Sequence, residues 1–97
     1  MARWSDSKRG IAYEKKAARK HNARHVGGPG NPDYVRGDTW GEVKNWNRPV
    51  DGGTMEDLID NGIDEVVSRN GFTEPAIEVA KDFGVKLFDG ERHVSGT

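Results

Sequence analysis

The tripeptide Glu42-Val43-Lys44 sets an acid and an amine two residues apart, and a second acid, Asp33, stands nine residues earlier behind Pro32. In an extended chain, side chains two apart share one face, so Glu42 and Lys44 project together. Asp33 opens the segment expected to pair with them as a hairpin, which brings three ionisable groups to one sheet end. Asp33, Glu42 and the backbone carbonyl of Val43 are hard oxygen donors of the kind Mg²⁺ takes. A divalent ion held there would lower the pKa of a bound water and offset charge developing on a phosphoryl oxygen. Lys44 would orient that water or stabilise the transition state, and Glu14, on a helix upstream, would add a further acid. An acid-x-Lys pair by itself is common on solvated strand faces. The signal lies in the whole set and its order along the chain.

These groups need a frame. Residues 7–20 read as a helix capped by Ser5 or Ser7, with Ile11, Glu14 and Ala18 on an inward face and Lys8, Lys15 and Arg19 on another. A carboxylate on the inward stripe of a basic helix is unusual. Ala23–Val26 leads into Gly27-Gly28-Pro29-Gly30-Asn31-Pro32, which no helix survives. Strands are predicted at Asp33–Arg36 and Thr39–Trp46, joined by Gly37-Asp38. Trp40, Glu42, Lys44 and Trp46 should occupy one face of the second. Thr54 is expected to cap a short helix through Ile59, with Met55, Leu58 and Ile59 inward. Ile63–Ser68 reads as a buried strand. Thr73 caps a further helix with Pro75 in its first turn, core stripe Ala76, Ile77, Ala80 and Phe83, and stop at Gly84; Val85–Phe88 is the last strand. The order describes one α/β domain over residues 1–97, a mixed sheet flanked by helices, its last two strands parallel about a crossover helix.

Composition bounds the possibilities. Of 97 residues 33% are hydrophobic and 32% charged, so a small core must be built from few side chains. There is no apolar run for a membrane span or secretory signal, which points to the cytoplasm, with delivery as a toxin domain kept open. The chain has no Cys, which excludes thiolate chemistry and disulfides. Its net charge of −1 argues at first against a polyanionic partner, but residues 1–36 hold nine Lys or Arg against three acids, and residues 37–97 six against thirteen. Local potential steers a phosphate backbone, so a basic face in the first third suits nucleic acid. Lys8, Lys15, Lys16, Arg19, Lys20 and His25 are the candidate contacts.

Other patterns carry less. The glycine-rich run after His25 lacks the Gly-Lys-Ser/Thr ending of a phosphate loop and precedes a strand, so it reads as a turn beside the site. His21 and His25, four apart, have no acid between them in the manner of a helical zinc site. Trp40 and Trp46 are expected in the core, large apolar residues being scarce; stacking on unpaired bases is the other use.

Gly10-Ile11-Ala12-Tyr13-Glu14, Pro32-Asp33, Gly41-Glu42-Val43-Lys44, Gly71-Phe72-Thr73 with Ala76, and Val85 through Gly90-Glu91 together resemble the PD-(D/E)xK nuclease superfamily, of the Mrr-like restriction endonuclease and nuclease-toxin type. The resemblance implies a restriction-endonuclease-like core and Mg²⁺- or Mn²⁺-dependent phosphodiester hydrolysis. It implies Asp33 and Glu42 as metal-binding acids, Lys44 as the catalytic lysine and Glu14 as the accessory acid. A core this small suits DNA cleavage by a homodimer, one site for each strand. An RNA- or tRNA-cutting toxin domain and a non-catalytic nucleic-acid-binding module are the alternatives.

Overall fold

A computed structural model describes residues 3–27 and 31–97, with side chains from Ile11 onward. The chain runs α1 (Arg3–Lys20), β1 (Arg24–His25), β2 (Tyr34–Arg36), β3 (Thr39–Lys44), α2 (Gly52–Asp60), β4 (Glu65–Ser68), α3 (Glu74–Phe83), β5 (Lys86–Asp89) and β6 (Arg92–His93). The six strands form one mixed sheet in chain order. β1, β2 and β3 pair antiparallel, β3, β4 and β5 parallel, and β6 returns antiparallel on β5. Parallel neighbours need crossovers, and α2 and α3 supply them.

Strand alternation divides the core in two. Val66 and Leu87 face α2 and α3, where they bury Met55, Leu58, Ala76 and Ala80. Tyr34, Val43 and Val67 face Ala17 and Ala18 of α1. The structure is therefore a sheet between one helix and a helix pair. No helix among the described residues is long and apolar enough to cross a membrane.

Capping explains where the later helices begin. Thr73 accepts from the Ala76 N–H at 3.3 Å and starts α3, with Pro75 in its first turn, and Gly84 closes it in the left-handed region at φ +70°. The cap of α2 is Asp51, not Thr54: its carboxylate accepts from the Thr54 N–H at 2.8 Å, and Gly52-Gly53 belong to the first turn of the helix. A Cβ at Gly52 would stand 3.2 Å from that of Pro75, so glycine lets the two helices meet.

Several expectations of burial need correction. Ile11 is 46% exposed, because α1 rests on the sheet through its later half, at Ala17 and Ala18. Phe83, at the end of α3, is 67% exposed. Trp40 is exposed, whereas Trp46 packs against the core. β3 stops at Lys44 instead of Trp46, β2 starts after Asp33, and β6, only two residues long, is too short to show a period in the sequence.

Candidate active site

β3 is an interior strand whose backbone faces β4 and β2 alternately. The Trp40 and Lys44 carbonyls accept from the N–H groups of Asp64 and Arg69 on the β4 side, at 2.9 and 3.0 Å. Gly41 and Val43 therefore turn toward β2. The Gly41 carbonyl accepts from the Asp33 N–H at 2.9 Å. β2 pairs no further than Gly41, so Val43 finds no strand partner there. Its N–H donates instead to Asp33 Oδ2 at 2.8 Å. A carboxylate takes the place of a ladder carbonyl, which fixes Asp33 in the plane of the sheet at the open end of β2.

Glu42 projects on the α2 side of that plane and is held by Lys44, whose Nζ lies 2.8 Å from Glu42 Oε2. Lys44 also lies 5.1 Å from the centre of the Trp46 ring, and the Arg48 guanidinium 4.3 Å from it. Glu14 reaches the same edge from α1 and receives His25 of β1, Nε2 to Oε1 3.1 Å. Gly28–Gly30, in the run that reads as a turn beside the site, lie outside the described residues. His25, a candidate phosphate contact, is thus oriented onto Glu14.

The charges about Asp33 do not balance. Burial, then Glu42 and Glu14, raise its pKa from 3.8 to about 6, against the lowering effects of the Val43 N–H and Lys44. Asp33, Glu42 and Glu14 each commit one carboxylate oxygen to the bonds above, and the other makes no hydrogen bond among the described residues. No group of three or more His, Cys, Asp or Glu in metal-holding arrangement occurs among the described residues. The hard oxygen donors at the strand edge that β2 leaves open are Asp33, Glu42 and the Val43 carbonyl. A sparse, hard, partly open oxygen set suits Mg²⁺, which keeps several waters and takes one or two carboxylates.

Lys15, Lys16, Arg19 and Lys20 are all exposed on α1, and Lys20 pairs with Glu91 at 3.2 Å. The Lys8 side chain lies outside the described residues.

One polar group was not anticipated. Glu65, 1% exposed, accepts from the Tyr34 hydroxyl at 2.6 Å and from Arg36 at 2.8 Å. Tyr34, Gly41 and Glu65 stand in register across three strands, so the Tyr34 ring spans Gly41 to reach Glu65. A Cβ at Gly41 would fall within that ring. An acid beside Val66 and Val67, in a segment expected to be a buried strand, is the sequence signal for a paired carboxylate; its partners follow only from the strand order. The buried Ser68 hydroxyl, on a residue in register with Lys44, has no partner among the described residues.

Comparison with family models, with curated proteins and with solved structures finds no match for this chain.

Proposed function

We propose that this chain is a metal-dependent endonuclease that hydrolyses phosphodiester bonds in DNA, built on a restriction-endonuclease-like core of the PD-(D/E)xK type. The observation that carries the reading is the meeting of Asp33, Glu42 and Lys44 at the open β2–β3 edge, with Glu14 arriving from the opposite face. Asp33 and Glu42, with the Val43 carbonyl, are the residues that would hold Mg²⁺ or Mn²⁺. When bound, such an ion supplies a water of lowered pKa and positive charge beside a phosphoryl oxygen. Lys44, kept in place by Glu42 and the Trp46 ring, presents an ammonium to the negative charge that grows on the phosphate. Glu14, oriented by His25, adds a carboxylate able to orient a water. The exposed Lys15, Lys16 and Arg19 provide charge for the flanking phosphate backbone.

The test is incubation of the purified protein with supercoiled, linear and branched DNA and with RNA, in Mg²⁺, Mn²⁺ or EDTA. Metal-dependent nicking or cleavage of DNA, lost in Glu42→Ala and Lys44→Ala proteins that keep the wild-type circular dichroism spectrum, is the expected result. Cleavage that survives in both variants overturns the site. Cleavage of RNA alone transfers the reading to an RNA-cutting domain, and absence of turnover on every polymer overturns the enzyme.

A further inference from the structure

Trp40 lies two residues before Glu42 and four before Lys44, on the same face of β3. It is 41% exposed in a chain with only three tryptophans. Its backbone is nevertheless held at both ends, the N–H donating to Asp64 Oδ2 and the carbonyl accepting from the Asp64 N–H, each at 2.9 Å. The backbone that carries this exposed aromatic ring is thus fixed beside the proposed site.

The ring borders a cavity of about 380 Å³ that extends to Glu42 and Lys44. Leu58 and Ile63 give it an apolar floor, and Asn31 and Asn61, whose side chains carry carboxamides, also line it. Its volume lies within the roughly 300–1,000 Å³ of small-molecule sites. An aromatic face, an apolar floor and two groups that both donate and accept hydrogen bonds suit a planar heteroaromatic ring with polar edges. A lysine at one end suits an anion attached to that ring. A nucleobase with its phosphate has this chemistry. At roughly 3.3 Å per residue, Trp40 is about 7 Å along the strand from Glu42, about one nucleotide from the phosphate.

In a continuous duplex the faces of each base are covered by its neighbours. We infer that the cavity beside Trp40 is a subsite for an unpaired nucleobase next to the reacting phosphate, so that the substrate is DNA carrying a single-stranded segment. This rests on the endonuclease reading for the identity of the neighbouring phosphate.

The test is equilibrium binding in EDTA, where metal-dependent turnover is excluded. The probes are a labelled short oligothymidylate, an abasic sugar-phosphate strand of equal length, and a duplex of equal length. Stacking of one base corresponds to about five- to 150-fold in affinity. The wild-type protein is expected to prefer the oligothymidylate to the abasic strand by a factor in that range. Trp40→Ala should bind the two equally while keeping wild-type affinity for the duplex and an unchanged melting temperature, and Trp40→Phe should keep most of the preference. A wild-type protein indifferent to the bases, a Trp40→Ala protein that still distinguishes them, or an equal loss of duplex binding overturns the subsite. Cleavage in Mg²⁺, assayed on plasmid and on branched DNA that carries a single-stranded segment, separates this from the parent reading. Cleavage without base-dependent binding defeats the subsite alone, and base-dependent binding lost with Trp40 in a protein that never cleaves defeats the endonuclease alone.

Discussion

Asp33→Asn removes a charge from the β2–β3 edge yet keeps a carbonyl oxygen able to accept from the Val43 N–H. Asp33 titrates at about 6 instead of 3.8, because burial and the neighbouring Glu42 and Glu14 outweigh the Val43 N–H and Lys44. A carboxyl with its folded pKa above its unfolded one holds its proton more tightly in the folded protein. Its stabilising effect is complete below the unfolded value and is lost as pH rises through the folded value. Stability should therefore fall between pH of about 4 and about 6 and level off above. The gap from 3.8 to about 6 corresponds at face value to about 3 kcal/mol. Asp33 is only half-buried, and solvent screening reduces the expectation to about 1–2 kcal/mol. Urea unfolding in EDTA across this range, for wild type and Asp33→Asn, measures it. The two proteins should coincide near the acid end, and the variant should be more stable above the window, with a melting temperature higher by about 5–10 °C. Added Mg²⁺ should then raise the melting temperature of the wild type and leave that of the variant in place. Parallel stability curves, or a variant less stable at neutral pH, would refute the idea that Asp33 is held charged against the interest of folding.

Three further outcomes are expected. Gly41→Ala sets a methyl group into the Tyr34 ring and should cost about 3 kcal/mol in urea unfolding; a wild-type midpoint would show that the ring does not span Gly41. Arg36→Ala leaves the 2%-exposed Glu65 side chain with the Tyr34 hydroxyl alone and should cost about 3 kcal/mol near neutral pH; an unchanged melting temperature would refute the pairing. Changing Lys15, Lys16, Arg19 and Lys20 together to Gln should weaken binding to every DNA sequence alike and flatten its dependence on salt, by about one power of salt concentration for each phosphate contact removed. Unchanged binding would remove α1 from the interface.

The parts of the fold legible in the sequence are those with local causes. Thr73, Pro75 and Gly84 bound α3 because capping, proline geometry and the left-handed backbone act within a few residues. The alternation of Trp40, Glu42 and Lys44 is visible because a strand has a period of two. Local spacing leaves the depth of burial undecided. Phe83 continues the stripe of Ala76 and Ala80, yet it sits at the end of α3 and projects into solvent. The contact of Tyr34 with Glu65 across Gly41 depends on strand order, since those residues become neighbours only when β4 pairs with β3. Within the site, Asp33, Glu42 and Lys44 can be read from type and spacing. The pairing of His25 with Glu14 cannot, because it needs the return of β1 beneath α1.

Two acids of this sheet are treated in opposite ways. Glu65, facing α1 from β4, receives a hydroxyl and a guanidinium, and Arg36 also donates to the His21 carbonyl at 2.7 Å, tying the end of α1 to the same network. A fold built only for stability has in Tyr34 and Arg36 the means to neutralise an acid. Asp33 immediately precedes Tyr34 and receives only one backbone N–H, with Lys44 held by Glu42 and with two carboxylates nearby that push its pKa up. Electrostatic compensation is therefore given to the acid that faces α1 and withheld from the acid at the sheet edge. A carboxylate left under-compensated by its own protein is one that an incoming cation can stabilise most, and perturbed groups of this kind concentrate at functional sites. The contrast between Glu65 and Asp33 thus supports a functional reading of the edge on electrostatic grounds that do not depend on the motif.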